Sequence, residues 1–239
     1  MSSNLQQLVK THLNLDLSEV MVAQFQRYTS ELIAWNERFN LTSITDPAEI
    51  QIKHFLDSLS VLTLADLPDQ ARMIDVGSGA GLPGLALKIV RPSWHMTLLE
   101  ATGKKVDFLK YMITALDLKN TTAVKMRAEE AGQESHHREK YDLVVARAVA
   151  RLPVLLEYLL PLCKIGGRCI AMRGESAHEE IAGVEYAIQA LGGKLDQIER
   201  APLPEMQHFL ICIRKANKTP PEYPRRPGIP AKKPLSPTG

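Results

Sequence analysis

The sequence predicts an α/β protein: a doubly wound, seven-stranded, mostly parallel sheet with a helical extension at its N-terminus. Three observations carry this. Short apolar runs of strand length alternate with helix-like segments from Met73 to Ile213. Within them, Met73-Ile74-Asp75-Val76-Gly77-Ser78-Gly79-Ala80-Gly81-Leu82-Pro83-Gly84 reads as a strand and a tight turn, and Leu85–Val90 as the buried helix that follows. Upstream of that stretch, apolar residues recur only at helical spacings. With 239 residues and 45% hydrophobic content, the chain suits one α/β domain with additions and can fill a sizeable core.

The N-terminal part is expected to be helical. Leu5, Leu8, Val9 and Leu13 share one helix face, and Met21, Phe25, Tyr28, Leu32, Trp35 and Phe39 follow at alternating spacings of four and three. Asp16 with Glu19 has capping-box spacing at the start of this longer helix, and Asn40 is a candidate stop. Asp46-Pro47-Ala48-Glu49 opens a further helix, with Pro47 at the first helical position. That helix carries His54 and Asp57 one turn apart, where they reach a ligand or each other; for an isolated pair a structural role is the commoner one.

Next comes the glycine stretch. Four glycines fall within eight positions, and Gly79, Gly81 and Gly84 spell GxGxxG. Glycine permits unusual φ and lets a ligand approach the backbone without a Cβ in the way, so the turn reads as a nucleotide-type pocket. The motif alone leaves the nucleotide open.

Past the turn the elements alternate: strand His95–Glu100, helix Gly103–Leu116, strand Thr121–Met126, strand Tyr141–Ala146, helix Pro153–Leu162, strand Arg168–Met172, helix Ser176–Leu191, then strands Lys194–Glu199 and His208–Ile213. In such a fold the ligand lies at the carboxyl ends of the strands. Glu100 falls where an acid accepts hydrogen bonds from a ribose diol, which NAD and S-adenosylmethionine share. Ala128 and Glu129 follow the third strand and can frame an adenine edge, although a solvated turn explains them nearly as well. Arg147 directly follows the fourth strand, where this fold meets its substrate, with a surface cation as the simpler alternative. The second half separates the cofactors: an acid near the fourth strand, a leucine-rich helix ending in Leu160-Pro161-Leu162, and Lys164-Ile165-Gly166-Gly167 leading into the fifth strand look like a class I methyltransferase. A dehydrogenase needs a nicotinamide site and usually a catalytic His or Lys at a later strand end, and none is convincing.

Charge is distributed unevenly. From Arg214 onward there are seven basic residues against Glu222, a net of +6, and the rest of the chain carries −4. Seven of the fifteen prolines also lie there, so this segment is expected to contain no helix or central strand and to run extended over a surface or stay disordered without a partner. A basic strap suits a polyanion; a merely solubilising tail is the simpler alternative. Cys163, Cys169 and Cys212 form no CxxC pair and read as core thiols, with no metal site expected. No run of eighteen apolar residues and no signal-peptide core is present, so a cytoplasmic protein without membrane contact is expected.

On Asn40-Leu41-Thr42, His54 with Asp57-Ser58-Leu59, Asp75 to Gly84, Arg147-Ala148-Val149-Ala150, and the tail Tyr223-Pro224-Arg225-Arg226-Pro227-Gly228 to Lys233-Pro234-Leu235, the chain resembles the glucose-inhibited division protein B family over nearly its whole length. These are the small-subunit (16S) ribosomal RNA guanine-N7 methyltransferases. The resemblance implies S-adenosylmethionine at Gly77, Leu82, Ala128, Glu129 and Arg147. Two positions depart from the family pattern: Arg173-Gly174 stands where Lys-Gly is common, and His208 lies in a segment that usually offers an Arg.

The expected organisation is therefore a helical region over residues 1–66, a methyltransferase domain over 67–215 and a basic tail over 216–239. Gly77, Gly79, Gly81, Leu82, Glu100, Ala128, Glu129 and Arg147 are expected at the cofactor, with Arg147 also catalytic. Arg173, Arg225, Arg226, Lys232 and Lys233 are expected on 16S ribosomal RNA or an assembling small subunit, engaged by a monomer. Guanine N7 has a free lone pair and needs no general base, which agrees with a chain lacking the Asn/Asp-Pro-Pro-Tyr strand end of exocyclic-amine enzymes and a Pro-Cys nucleophile. Methylation of a small molecule or protein, and RNA binding without catalysis, are the competing readings.

Overall fold

The computed structural model describes residues 4–204 and 206–236; the outermost residues of the first and last expected segments lie outside these. Seven strands form one sheet: β1 (Arg72–Val76), β2 (His95–Glu100), β3 (Thr121–Lys125), β4 (Tyr141–Arg147), β5 (Cys163–Arg173), β6 (Gly193–Arg200) and β7 (Phe209–Lys215). Their order is β3-β2-β1-β4-β5-β7-β6, with β7 antiparallel to both neighbours and the other pairs parallel. The order reverses between β1 and β4, which places the ligand-binding crevice of such folds at the carboxyl ends of these two strands.

Helices α1 (Asn4–Leu13) and α2 (Glu19–Asn36) precede the sheet. The cap of α2 is Ser18, whose Oγ accepts from Met21 N at 3.3 Å; Asp16 is drawn off into an ion pair with Lys10 at 2.7 Å. The helix also ends earlier than its apolar stripe, because the Asn36 side chain accepts from Leu41 N and Thr42 N and turns the chain. The stripe nonetheless packs as expected. Phe25 and Tyr28 lie 4.8 and 5.1 Å from the ring of Phe55, and Trp35 meets Phe108 at 5.4 Å, so the N-terminal helices share a core with the sheet.

The next helical segment is composite. It begins as α3 (Pro47–Glu49), capped by Asp46, continues as a π-helix (Ile50–Leu56) and closes with α4 (Asp57–Leu59) and a 3₁₀ turn (Ser60–Thr63). Such π insertions gather at functional sites. Here the Asp57 N–H bonds to Ile52 O and His54 O, not to Lys53 O as an α-helix would require, and Lys53 O is left available.

After β1 the glycine turn leads into α5 (Gly84–Val90). Asp75 is wholly buried, and its Oδ2 accepts from Gly84 N at 3.0 Å, tying the strand end to the first helical amide. Between the later strands come α6 (Gly103–Ala115), α7 (Ala128–Ala131) and α8 (Leu152–Leu159). The single helix expected over 176–191 is two, α9 (Ala177–Ile181) and α10 (Glu185–Ala190), broken at Gly183 with φ +109°.

The tail is docked on the body. It runs extended across the end of α8 and contains one helical turn, α11 (Ile229–Lys232), with Pro230 in its first turn, so prolines did not exclude a helix. A proline-rich strand is poor in N–H donors and leaves carbonyls to be satisfied. Arg138 supplies the donors: its guanidinium bonds to Thr219 O, Pro220 O and Tyr223 O at 2.7–3.0 Å, and Gln133 bonds to Pro221 O and Pro224 O. Pro224 fits against Gly132, where any Cβ would stand 2.5 Å from its Cγ. Arg225 forms a fork on Glu157, which has no solvent exposure, and Leu235 is buried beyond it.

Breaking a buried ion pair from one side strands the other charge. Arg225→Ala is therefore expected to destabilise the protein by about 3 kcal/mol or more in denaturant titration. Unaltered stability would show that the tail adds nothing to the folded body.

Candidate active site

A pocket of about 540 Å³ opens at the carboxyl ends of β1 to β4. It is lined by Gly77, Glu100, Ala128, Glu129 and Arg147 among the residues expected from sequence, and its size suits a nucleoside-sized ligand. Gly77 adopts φ +72°, and a Cβ there would lie 2.7 Å from the Val149 side chain, so glycine is required by backbone shape and close packing together. The Glu100 carboxylate accepts from Gly79 N at 3.1 Å and Thr102 N at 2.8 Å. Two lone-pair positions remain to it for a ligand diol. Glu129 is buried and accepts from Gly228 N at 3.0 Å, so the docked tail braces this wall and Ala231 joins the lining.

Other expected residues lie elsewhere. A Cβ on Gly81 would meet Leu85 at 2.3 Å and the Tyr28 hydroxyl at 2.8 Å, and Leu82 is buried; neither lines the pocket. Gly79 lends its amide to Glu100 without lining the pocket itself. Arg173 donates to Ala150 O and pairs with Glu180, which also caps Leu152 N, so it supports the loop after β4. Arg225 is turned inward onto Glu157, whereas Arg226, Lys232 and Lys233 are exposed. The pocket adds cations not singled out in the sequence: Lys105, Arg127 and Arg151. Arg127 was discernible, since it lies between the expected third strand and Ala128; Tyr158 and Ala231, which also line the pocket, had no local signal.

Arg147 is held by a network spanning the chain. Its Nη1 donates to Lys53 O and to Asp57 Oδ2, each at 3.0 Å, and its Nη2 faces His54 Nδ1 at 3.3 Å. Arginine only donates, so His54 Nδ1 accepts and the ring proton sits on Nε2, directed at Thr42 Oγ1 at 2.8 Å. Burial, then the neighbouring guanidinium, lowers the His54 pKa to about 4, and the ring is neutral at neutral pH. Asp57 has no exposure, and its Oδ1 accepts from His208 Nδ1 at 2.9 Å. His54 and Asp57 thus meet through Arg147. Directly after it, Ala148 adopts φ +54°, an uncommon backbone state for alanine at the pocket edge.

A seven-stranded sheet of order β3-β2-β1-β4-β5-β7-β6 with β7 antiparallel, carrying a glycine turn and a pocket at its switch point, is the fold of the class I methyltransferases. The crystal structure of MtNAS in complex with MTA and tNA shares this fold, with a TM-score of 0.56 and 12% identity over 89% of this chain and 76% of that one. Residues 21–209 match the GidB family, rRNA small subunit methyltransferase G, and the chain belongs to that family. It is 48% identical to the ribosomal RNA small subunit methyltransferase G of Roseiflexus castenholzii over 95% of this chain and 97% of the relative. Its counterpart from Desulforamulus reducens is 44% identical over 94% of each chain.

Two buried groups near Arg147 set opposing pH responses. His54, near 4 in the fold, binds fewer protons folded than unfolded, so its share of stability is lost as pH falls from about 6.5 toward 4. Burial raises Asp75 from 3.8 to about 7, so its share is lost as pH rises across that interval. His54→Gln should leave stability that declines from about pH 4 to 7, and Asp75→Asn stability that climbs over the same range. Parallel slopes in denaturant titrations of the two variants would contradict both assignments.

Proposed function

We propose that this protein transfers the methyl group of S-adenosylmethionine to N7 of a guanine in the 16S ribosomal RNA of the small subunit. The observation that carries this is the immobilised Arg147 at the mouth of a nucleoside-sized pocket in a member of this family. In this reading Glu100 takes the ribose diol, Ala128 and Glu129 frame the adenine, and the Gly77 backbone admits the methionine end. The cofactor supplies an electrophilic methyl on a sulfonium. N7 would take that methyl through its own lone pair as the carbon–sulfur bond breaks and a neutral thioether leaves, so the protein's task is alignment, which can account for about 7 to 11 kcal/mol of barrier.

Arg147 suits that task because three of its contacts fix the guanidinium plane while further N–H groups remain for the guanine. Lys105, Arg127 and Arg151 at the pocket, with the exposed Arg226, Lys232 and Lys233 of the tail, hold RNA phosphates. Arg173 and Arg225 act indirectly, by setting the loop and the tail. Among the described residues no helix is long and apolar enough to cross a membrane, and we assign the protein to the cytoplasm as a monomer.

Transfer of label from S-adenosylmethionine into purified small-subunit RNA, with the product mapped as N7-methylguanine, tests the proposal; label in protein or at another atom overturns it. Because Arg147→Ala would strand the buried Asp57, lysine is the cleaner probe. Arg147→Lys is expected to fold normally yet lose about a hundredfold in kcat/KM, since a point charge does not replace a planar fork. Full activity in this variant would remove Arg147 from catalysis. For Glu100→Ala, calorimetry should show cofactor affinity reduced about ten- to a hundredfold. Unchanged affinity in the folded variant would take Glu100 out of the site.

A further inference from the structure

The charge balance of the pocket is unfavourable to the ligand proposed for it. Four cationic side chains line it, Lys105, Arg127, Arg147 and Arg151, against the two carboxylates Glu100 and Glu129. Both carboxylates are already partly engaged, Glu100 by two amides and Glu129 by Gly228 N with Arg127 at 3.7 Å. S-adenosylmethionine enters as a net monocation, because its carboxylate and ammonium cancel and the sulfonium remains. Its product, S-adenosylhomocysteine, is a neutral thioether. A lining with excess positive charge therefore favours product over substrate.

We propose that Asp57, buried behind the pocket wall and paired with Arg147, is the specificity-determining residue that lets this site favour the cationic methyl donor over its neutral product. This rests on reading the pocket as the S-adenosylmethionine site.

The geometry suits a fixed counter-charge. Asp57 Oδ2 lies 3.0 Å from Arg147 Nη1, and His208 Nδ1 donates to Oδ1 at 2.9 Å, so the carboxylate cannot turn away. The other ring beside the guanidinium, His54, is neutral and adds no positive charge. The other acid near Arg147, Asp75, is wholly buried, and burial raises its pKa, which makes it a poor source of negative charge. Asp57 is no candidate for a general base: it has no exposure, does not line the pocket, and both its oxygens accept hydrogen bonds. Nor does stability alone account for it, since apolar residues of similar volume often serve a core as well as a buried ion pair. What the pair adds is a guanidinium that keeps N–H groups for other partners while a carboxylate 3.0 Å away offsets its charge.

The test compares the affinities of S-adenosylmethionine and S-adenosylhomocysteine for the full-length protein by calorimetry. Asp57→Asn keeps size and hydrogen-bonding capacity and should weaken S-adenosylmethionine about tenfold while changing S-adenosylhomocysteine by less than about twofold. The double variant Asp57→Asn/Arg147→Gln removes both charges and strands neither, and should keep the ratio of the two affinities within about twofold of the wild type. If Asp57→Asn fails to fold, the double variant carries the test alone. A ratio that stays constant in Asp57→Asn, or that moves toward the methyl donor in the double variant, overturns the proposal while leaving the cofactor reading intact. A wild-type protein that binds neither compound removes the cofactor reading and the inference with it.

Discussion

The ion pair between Asp57 and Arg147 is the contact on which the organisation of this protein turns. It joins the composite helix of the N-terminal region to the end of β4, and the His208 bond to Asp57 brings in the start of β7. Water is excluded from the carboxylate, so no part of this junction can be lost cheaply. The π-helix is understandable in these terms. By redirecting the Asp57 amide it frees Lys53 O for Arg147, so a local irregularity becomes a second acceptor at the same guanidinium.

The N-terminal helices are accordingly part of the active-site scaffold. Tyr28 reaches from α2 to donate to Ala80 O at 2.6 Å inside the glycine turn, and its hydroxyl fills the space a Cβ on Gly81 would need. The turn is shaped from both sides, by the helix packed on it and by the sheet beneath. Gly77 and Glu100 line the pocket, whereas a Cβ on Gly81 would collide with Leu85 and Tyr28, and one on Gly84 with Leu98 and Asp75.

Much of this was legible in the sequence because it depends on local pattern. Strand order aside, the alternation of apolar runs located every strand, although β5 begins at Cys163, ahead of the expected Arg168, and the strand-end rule named Glu100, Ala128, Glu129 and Arg147, which line one pocket. What stayed hidden depends on contacts between distant residues. Asp57 and His208 are 151 positions apart and meet only because β7 enters the sheet antiparallel beside β5. Composition left the tail open between an extended, surface-bound course and disorder for a related reason: charge and proline content describe a segment in water, whereas its docked course and its one helical turn are set by Arg138, Glu157 and Gly132, which belong to the body. Arg173 looked available at a strand end, and the acid that occupies it arrives from a later helix.

Docking of the tail ties the pocket to a segment that lies outside the sheet. Gly228 braces Glu129 and Ala231 forms part of the lining, so one wall of the pocket is contributed by the strap. No strand pairing involves those residues. Release of the strap would therefore open one wall of the cleft while the sheet stays paired, so the site can fail before the fold does.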